Sequence, residues 1–155
     1  MEARIDYSKY APEAQKALFT LEKYVAGCGL DHKLIHLIKM RASQINGCAF
    51  CIDMHSKDAR AIGETEQRLY ELDAWRETPF YTDQERAALE WTESLTLVSE
   101  THVPDEVYLR LRQHFSEKEI VDLSLIVGTI NLWNRLAISL RAVPGEYKVR
   151  HATAS

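Results

Sequence analysis

Apolar residues recur at three- and four-residue intervals along most of the chain, the spacing of a single buried helical face, and no strand-like alternation stands out. The pattern predicts an all-α protein. A first helix starts near Pro12, at an N1-like position, and carries Ala14, Leu18, Leu21 and Val25 to a stop at Gly27 and Gly29. A second runs from about Asp31 to Ile45 on Leu34, Leu37, Ile38 and Ile45, and Asn46-Gly47 ends it. A third carries Cys48 to Ala61 and stops at Gly63. Thr65 then caps a short helix through Leu69 and Leu72, and Trp75 to Phe80, interrupted by Pro79, reads as a connector. Thr82-Asp83-Gln84-Glu85 and Ser116-Glu117-Lys118-Glu119 both match the capping box, in which hydroxyl and carboxylate satisfy each other's orphan amides. Pro104 marks another start, leading into Val107, Leu109, Leu111 and Phe115.

From Ile120 to Leu140 the pattern changes, because apolar side chains fall on almost every face. Such a helix must be buried, and Asp122, Asn131, Asn134 and Arg135 argue against a bilayer. A small domain can hardly wrap one helix completely, so the expectation is a core helix that also packs on another subunit. The 155 residues suit one domain, 1–155, able to bury roughly 68–70% of its unfolded surface. The polar tail 147–155 is expected to fray.

Composition narrows the function. With 46% hydrophobic and 27% charged residues and a net charge of −4, the chain has no basic stripe to track a phosphate backbone, so nucleic acid is not an expected partner. The acidic, polar start Met1-Glu2-Ala3-Arg4-Ile5-Asp6-Tyr7 is unlike a secretory leader, and no uninterrupted apolar stretch reaches the ~20 residues of a membrane span. The expected location is cytoplasmic, with no membrane partner.

Chemistry concentrates in Gly47-Cys48-Ala49-Phe50-Cys51-Ile52-Asp53-Met54-His55, a CxxC followed four residues later by histidine. On a helix Cys48, Cys51 and His55 fall at roughly 0°, 300° and 340°, inside one narrow wedge. The two thiols can then share a disulfide while His55 exchanges a proton with Cys51. Gly47 breaks the helices and places Cys48 in a first turn, where free amides and the positive dipole end favour a thiolate. Three blander readings compete: buried cysteines acting as small hydrophobes, a static disulfide, and a zinc site. Structural zinc wants four ligands, and no second CxxC or paired histidine supplies the fourth, so no metal or other cofactor is expected. Cys28, between Gly27 and Gly29, reads as an incidental loop thiol.

The stretch from Leu34 to Arg60, LIHLIKMRASQINGCAFCIDMHSKDAR, resembles the alkylhydroperoxidase D-like core of the carboxymuconolactone decarboxylase superfamily. The resemblance is strong over about residues 30–65, and the helix from Thr82 to Leu97 and the long apolar helix are similar to those of the small peroxidase-related members. It implies an all-α helical bundle assembling into dimers, trimers or hexamers. The decarboxylases themselves generally lack CxxCxxxH, so the resemblance points to the peroxidase branch. Carried over, it implies that Cys51 is the peroxidatic thiol, Cys48 the resolving thiol and His55 part of a proton relay. The activity implied is thiol-dependent reduction of alkyl hydroperoxides or hydrogen peroxide, with a thioredoxin-like or lipoyl dithiol as reductant.

The residues themselves divide on the roles. His55 lies four positions beyond Cys51, the geometry for its deprotonation, whereas helix-start electrostatics alone favour Cys48. Two departures from the alkylhydroperoxidase D pattern stand out. Those enzymes carry glutamate twelve residues before the first cysteine, where this chain has His36, and histidine just before the second, where it has Phe50. His36 can replace the carboxylate as a proton acceptor, or be a packed structural residue. Other readings are a thiol–disulfide oxidoreductase, a redox sensor without turnover, and a carboxymuconolactone decarboxylase-type enzyme.

Overall fold

In the computed structural model, which describes residues 2–149, every regular element is helical and no strand occurs among those residues. The order is α1 (Tyr7–Tyr10), α2 (Pro12–Ala26), α3 (His32–Asn46), α4 (Ala49–Ala61), α5 (Glu66–Tyr70), a 3-10 segment (Leu72–Glu77), α6 (Asp83–Thr96), α7 (Val98–Thr101), α8 (Asp105–Leu111) and α9 (Glu117–Leu140).

The helix boundaries follow the local capping chemistry. Asp31 Oδ1 accepts from the amides of Lys33 and Leu34 at 2.7 and 3.1 Å to open α3. Both capping boxes form, Thr82 with Glu85 at the start of α6 and Ser116 with Glu119 at the start of α9. Three readings are refined. α1 was not anticipated, and Asp6 caps it by accepting from the Ser8 amide. The short helix capped by Thr65 ends at Tyr70, before Leu72, and an ordered 3-10 segment, Leu72–Glu77, runs into the connector, burying Leu72 and Trp75 and too short for periodicity to reveal. Leu109, expected on the apolar face of α8, is 59% exposed, because the seven-residue helix turns Val107 and Leu111 inward.

Helix α3 is the central element, packed against α4, α6 and α9. Its Leu34, Ile35 and Ile38 join a core with Leu123, Ile126 and Val127 of α9 and Ala88 and Trp91 of α6. Its Leu37 and Met40 face a second core with Ala59, Leu69, Leu72, Trp75 and Leu89. Ala42 meets Cys48, Cys51 and Ile130 in a third. Fully burying one such aliphatic side chain stabilises the fold by about 1.5–3 kcal/mol.

By length and a mean hydropathy of 1.3, α9 could cross a membrane, yet it packs on α2, α3, α4 and α6. It also buries Asp122, Asn131 and Asn134, which hydrogen-bond within the chain. It is not buried all round: Val121, Leu132 and Ile138 stand 57%, 38% and 47% exposed. After α9 the chain returns over α4, where the Gly145 amide donates to Asp53 and the Tyr147 hydroxyl to Asp58 at 2.7 Å. The Tyr147 carbonyl accepts from Lys57 Nζ, so this residue of the supposedly frayed tail is tethered; residues 150–155 lie outside the described residues.

Candidate active site

The turn between α3 and α4 places the cysteines. Gly47 sits at φ 68°, a left-handed position natural to glycine. Its amide donates to Gln44 O and that of Cys48 to Ser43 O, the paired bonds of a Schellman ending. Asn46 clamps the turn from outside, donating to Asn131 Oδ1 at 3.0 Å and Asn134 Oδ1 at 2.8 Å on α9. Asn134 in turn donates to Ser43 Oγ, so α9 grips the end of α3 at two points.

Cys48 is then the N-cap of α4, its sulfur accepting from the Cys51 amide at 3.4 Å. Cys48 and Cys51 form a disulfide with a Cα–Cα separation of 5.4 Å, and each cysteine is 1% exposed. Both sulfurs therefore lie at the positive end of a thirteen-residue helix, where a thiolate is favoured once the bond is reduced. Phe50, Trp133 and Ala137 pack against the pair. Cys28 remains a free, half-buried thiol in the loop after α2.

His55 lies one turn further along α4 and is buried. His36 reaches it from α3, the ring centroids 5.6 Å apart. Burial, then the Lys39 charge and His36, hold His55 well below the usual imidazole range. Burial also lowers His36, partly offset by the Asp58 carboxylate. Both rings are thus kept neutral at neutral pH, and the Nδ1 atom of each is buried without a hydrogen-bond partner. The structure pairs Cys48 with Cys51 and His36 with His55, and the two pairs are joined along α4, where His55 follows Cys51 by one turn.

Three further participants were not singled out from the sequence. Asp58 places a carboxylate oxygen within 4.8 Å of a ring nitrogen of both His36 and His55. Its signal was available, three residues after His55 on the same helix face, but an Asp there also reads as solvated surface. Lys39 is buried and ion-paired with Glu22 of α2, whose other oxygen accepts from Trp133 Nε1 at 3.2 Å. This pair links the α3 wall to the indole that packs on the disulfide. Its long sequence separations left no local signal.

Comparison with known proteins identifies the family and the fold. Residues 12–94 match the model of the Carboxymuconolactone decarboxylase family. An uncharacterised protein of Bacillus subtilis, YdfG, is 50% identical over 140 residues, covering 90% of this chain and 95% of its own. A crystal structure from Agrobacterium tumefaciens, described as of unknown function and provisionally as the antioxidant defence protein AhpD, superposes with a TM-score of 0.91 at 49% identity. It covers 94% of this chain and 100% of that one. The debrominase Bmp8 shares the fold alone, with a TM-score of 0.77 at 20% identity over 89% of this chain and 74% of its own. With its all-helical fold and its CxxC at the head of α4, the chain belongs to the carboxymuconolactone decarboxylase family as an AhpD-like member.

Proposed function

We propose that the protein is a thiol-dependent peroxidase that reduces alkyl hydroperoxides or hydrogen peroxide through Cys48 and Cys51. One observation carries this reading: the two sulfurs are bonded to each other at the N-terminus of α4, with the neutral imidazole of His55 on the next turn. The dipole end stabilises the thiolate, and a neutral base one turn away takes its proton.

Cys51 is the peroxidatic residue, since His55 stands four positions beyond it on α4. Its thiolate attacks the terminal peroxide oxygen, forming an S–O bond as the O–O bond breaks. The departing alkoxide takes the proton held by His55 and leaves as alcohol, and Cys51 becomes a sulfenic acid. Cys48 then attacks that sulfur, the disulfide forms and hydroxide leaves as water with the Cys48 proton. The balance is one peroxide and two thiols to one alcohol, one water and one disulfide. An external dithiol, of the thioredoxin-like or lipoyl kind, returns the pair to the reduced state. His36, packed against His55, can share the proton that His55 holds between its removal from Cys51 and its delivery to the alkoxide, the part a carboxylate plays in the alkylhydroperoxidase D pattern. The apolar wall of Phe50, Trp133 and Ala137 favours an organic peroxide.

The exposed Val121 and Leu132, about 20° apart around α9, suit a homo-oligomer formed through that face. The deciding test is a stopped-flow titration of reduced protein with one equivalent of cumene hydroperoxide, followed by thiol counting and intact mass. Rapid loss of two thiols with a decrease of about 2 Da is the expected result. Reaction no faster than that of a free thiol would overturn it, and reduction of an insulin disulfide without peroxide consumption would make the protein a thiol–disulfide oxidoreductase.

A further inference from the structure

We propose that His36, His55 and Asp58 form a binding site for one divalent transition-metal ion of the zinc class, held beside the dithiol and independently of it. His55 and Asp58 are three residues apart on α4, and His36 faces them from α3. One ligand atom from each lies within 4.8 Å of the other two. Bonds of about 2.0–2.2 Å to a shared ion would draw these atoms together by roughly an ångström, within reach of small side-chain rotations.

Two imidazole nitrogens and one carboxylate oxygen are a donor set that zinc and its first-row neighbours accept, with the remaining positions left to water. Magnesium and calcium, which prefer oxygen ligands, are excluded by the same set. The site has a second feature that points to a ligand. Nδ1 of His36 and Nδ1 of His55 are buried with no hydrogen-bond partner, and the His55 side chain is only 5% exposed. Buried nitrogens without a partner are destabilising, and an ion bonded to either Nδ1 would offset that cost. Asp58 is already oriented, for Tyr147 donates to its Oδ1, the outer support that metal-bound carboxylates usually have. The nearby cation, Lys39, opposes an ion here, and its pair with Glu22 offsets that charge in part. Asp58 then leaves the cluster one negative charge to receive the metal.

The sequence directs attention to zinc through Cys48, Cys51 and His55, which lack a fourth ligand. The folded chain offers a different set that shares only His55. One consequence rests on the peroxidase reading: an ion bound to His55 removes the base from Cys51, so zinc inhibits turnover while leaving the thiols unliganded. The binding itself does not depend on that reading.

The test uses the full chain with the disulfide intact and Cys28→Ser, so that no thiolate can ligate. Calorimetric titration with Zn²⁺ is expected to give one equivalent, and Mg²⁺ none. Asp58→Asn and His36→Gln are each expected to weaken Zn²⁺ binding by about tenfold or more. A Cys48→Ser/Cys51→Ser variant is expected to bind as wild type. Because a variant can lose binding by unfolding, two further readouts stand beside it. Zn²⁺ should raise the melting temperature of the parent by more than that of a folded Asp58→Asn protein at the same concentration. Co²⁺ bound to the parent should show ligand-field absorption without a thiolate charge-transfer band. Absence of saturable Zn²⁺ binding, or binding indifferent to Asp58 and His36, overturns the site. Peroxide consumption measured without metal is a separate matter: its failure would strike the peroxidase reading and leave this site standing.

Discussion

Cys48 and Cys51 are equally buried, and what separates them is position: one caps α4, the other lies a turn before His55. Cys51→Ser should therefore abolish peroxide consumption, whereas Cys48→Ser should still form one sulfenic acid per subunit without turning over, as dimedone labelling and mass spectrometry would reveal. Equal loss of the first step in both variants would reverse the roles. His55→Gln should slow that first step by about 10²–10⁴ while leaving the thiols countable, which stopped-flow kinetics on the reduced protein would measure. These three residues were legible in the sequence because their chemistry and their spacing act within two turns of one helix. Asp58 was not, since a carboxylate on a helix acquires its meaning from what the opposite helix brings to it, here His36. Lys39 and Glu22 were hidden for the same reason, seventeen residues apart and on different helices.

Among the elements, α3 and α9 are joined by amides as well as by apolar packing. Asn134 is fully buried and both accepts from Asn46 and donates to Ser43, so the start of the redox helix is set by a residue 86 positions after Cys48. Asn134→Ala removes both bonds and leaves a gap at a fully buried position, and should destabilise the fold by about 1–3 kcal/mol in a urea titration. Replacing Asn134 with leucine should cost at least as much, because the added apolar bulk satisfies neither partner. The helix ends near Asp31, Thr82 and Ser116 could be read from sequence because capping is a matter of three or four consecutive residues. The Asn46–Asn131–Asn134 contacts could not, because the register between two helices is fixed only when both cores close. The long apolar run was read correctly as a core helix. Its residual exposure at Val121, Leu132 and Ile138 reflects how many neighbours a chain of this length can supply.

At the scale of the whole molecule, two clusters of paired charges tie the helices that surround α3. Arg68 bonds Glu64 and Glu85 and lies 4.8 Å from the Tyr81 ring centroid, and Glu93 accepts from Arg41, Arg76 and Trp75. Burial pushes the Glu85 and Glu93 carboxyls up, but these hydrogen bonds outweigh it and both end below their ordinary 4.5. A carboxyl lowered by folding stabilises the native state fully above its unfolded value and withdraws that support as pH falls through the lower folded value. Thermal scans should accordingly show the melting temperature falling as the pH drops below about 4.5, and a steady value across that range would contradict the assignment. Arg68→Leu would leave Glu64, 4% exposed, without its cation, and should cost about 3–5 kcal/mol. If the outer face of α9 joins subunits, Val121→Glu with Leu132→Glu should lower the mass measured by size-exclusion with light scattering.

Because α3 borders all three apolar clusters, no part of the molecule can open around it without the rest opening too. The amides of Leu37 and Ile38 should therefore exchange with deuterium only at the rate of global unfolding. Those of α1, which buries none of its side chains, should exchange by cheap local fraying. The dithiol thus works at the edge of the slowest-exchanging segment of the protein. On the peroxidase reading, its oxidation and reduction should then be changes of bonding within a frame that stays closed.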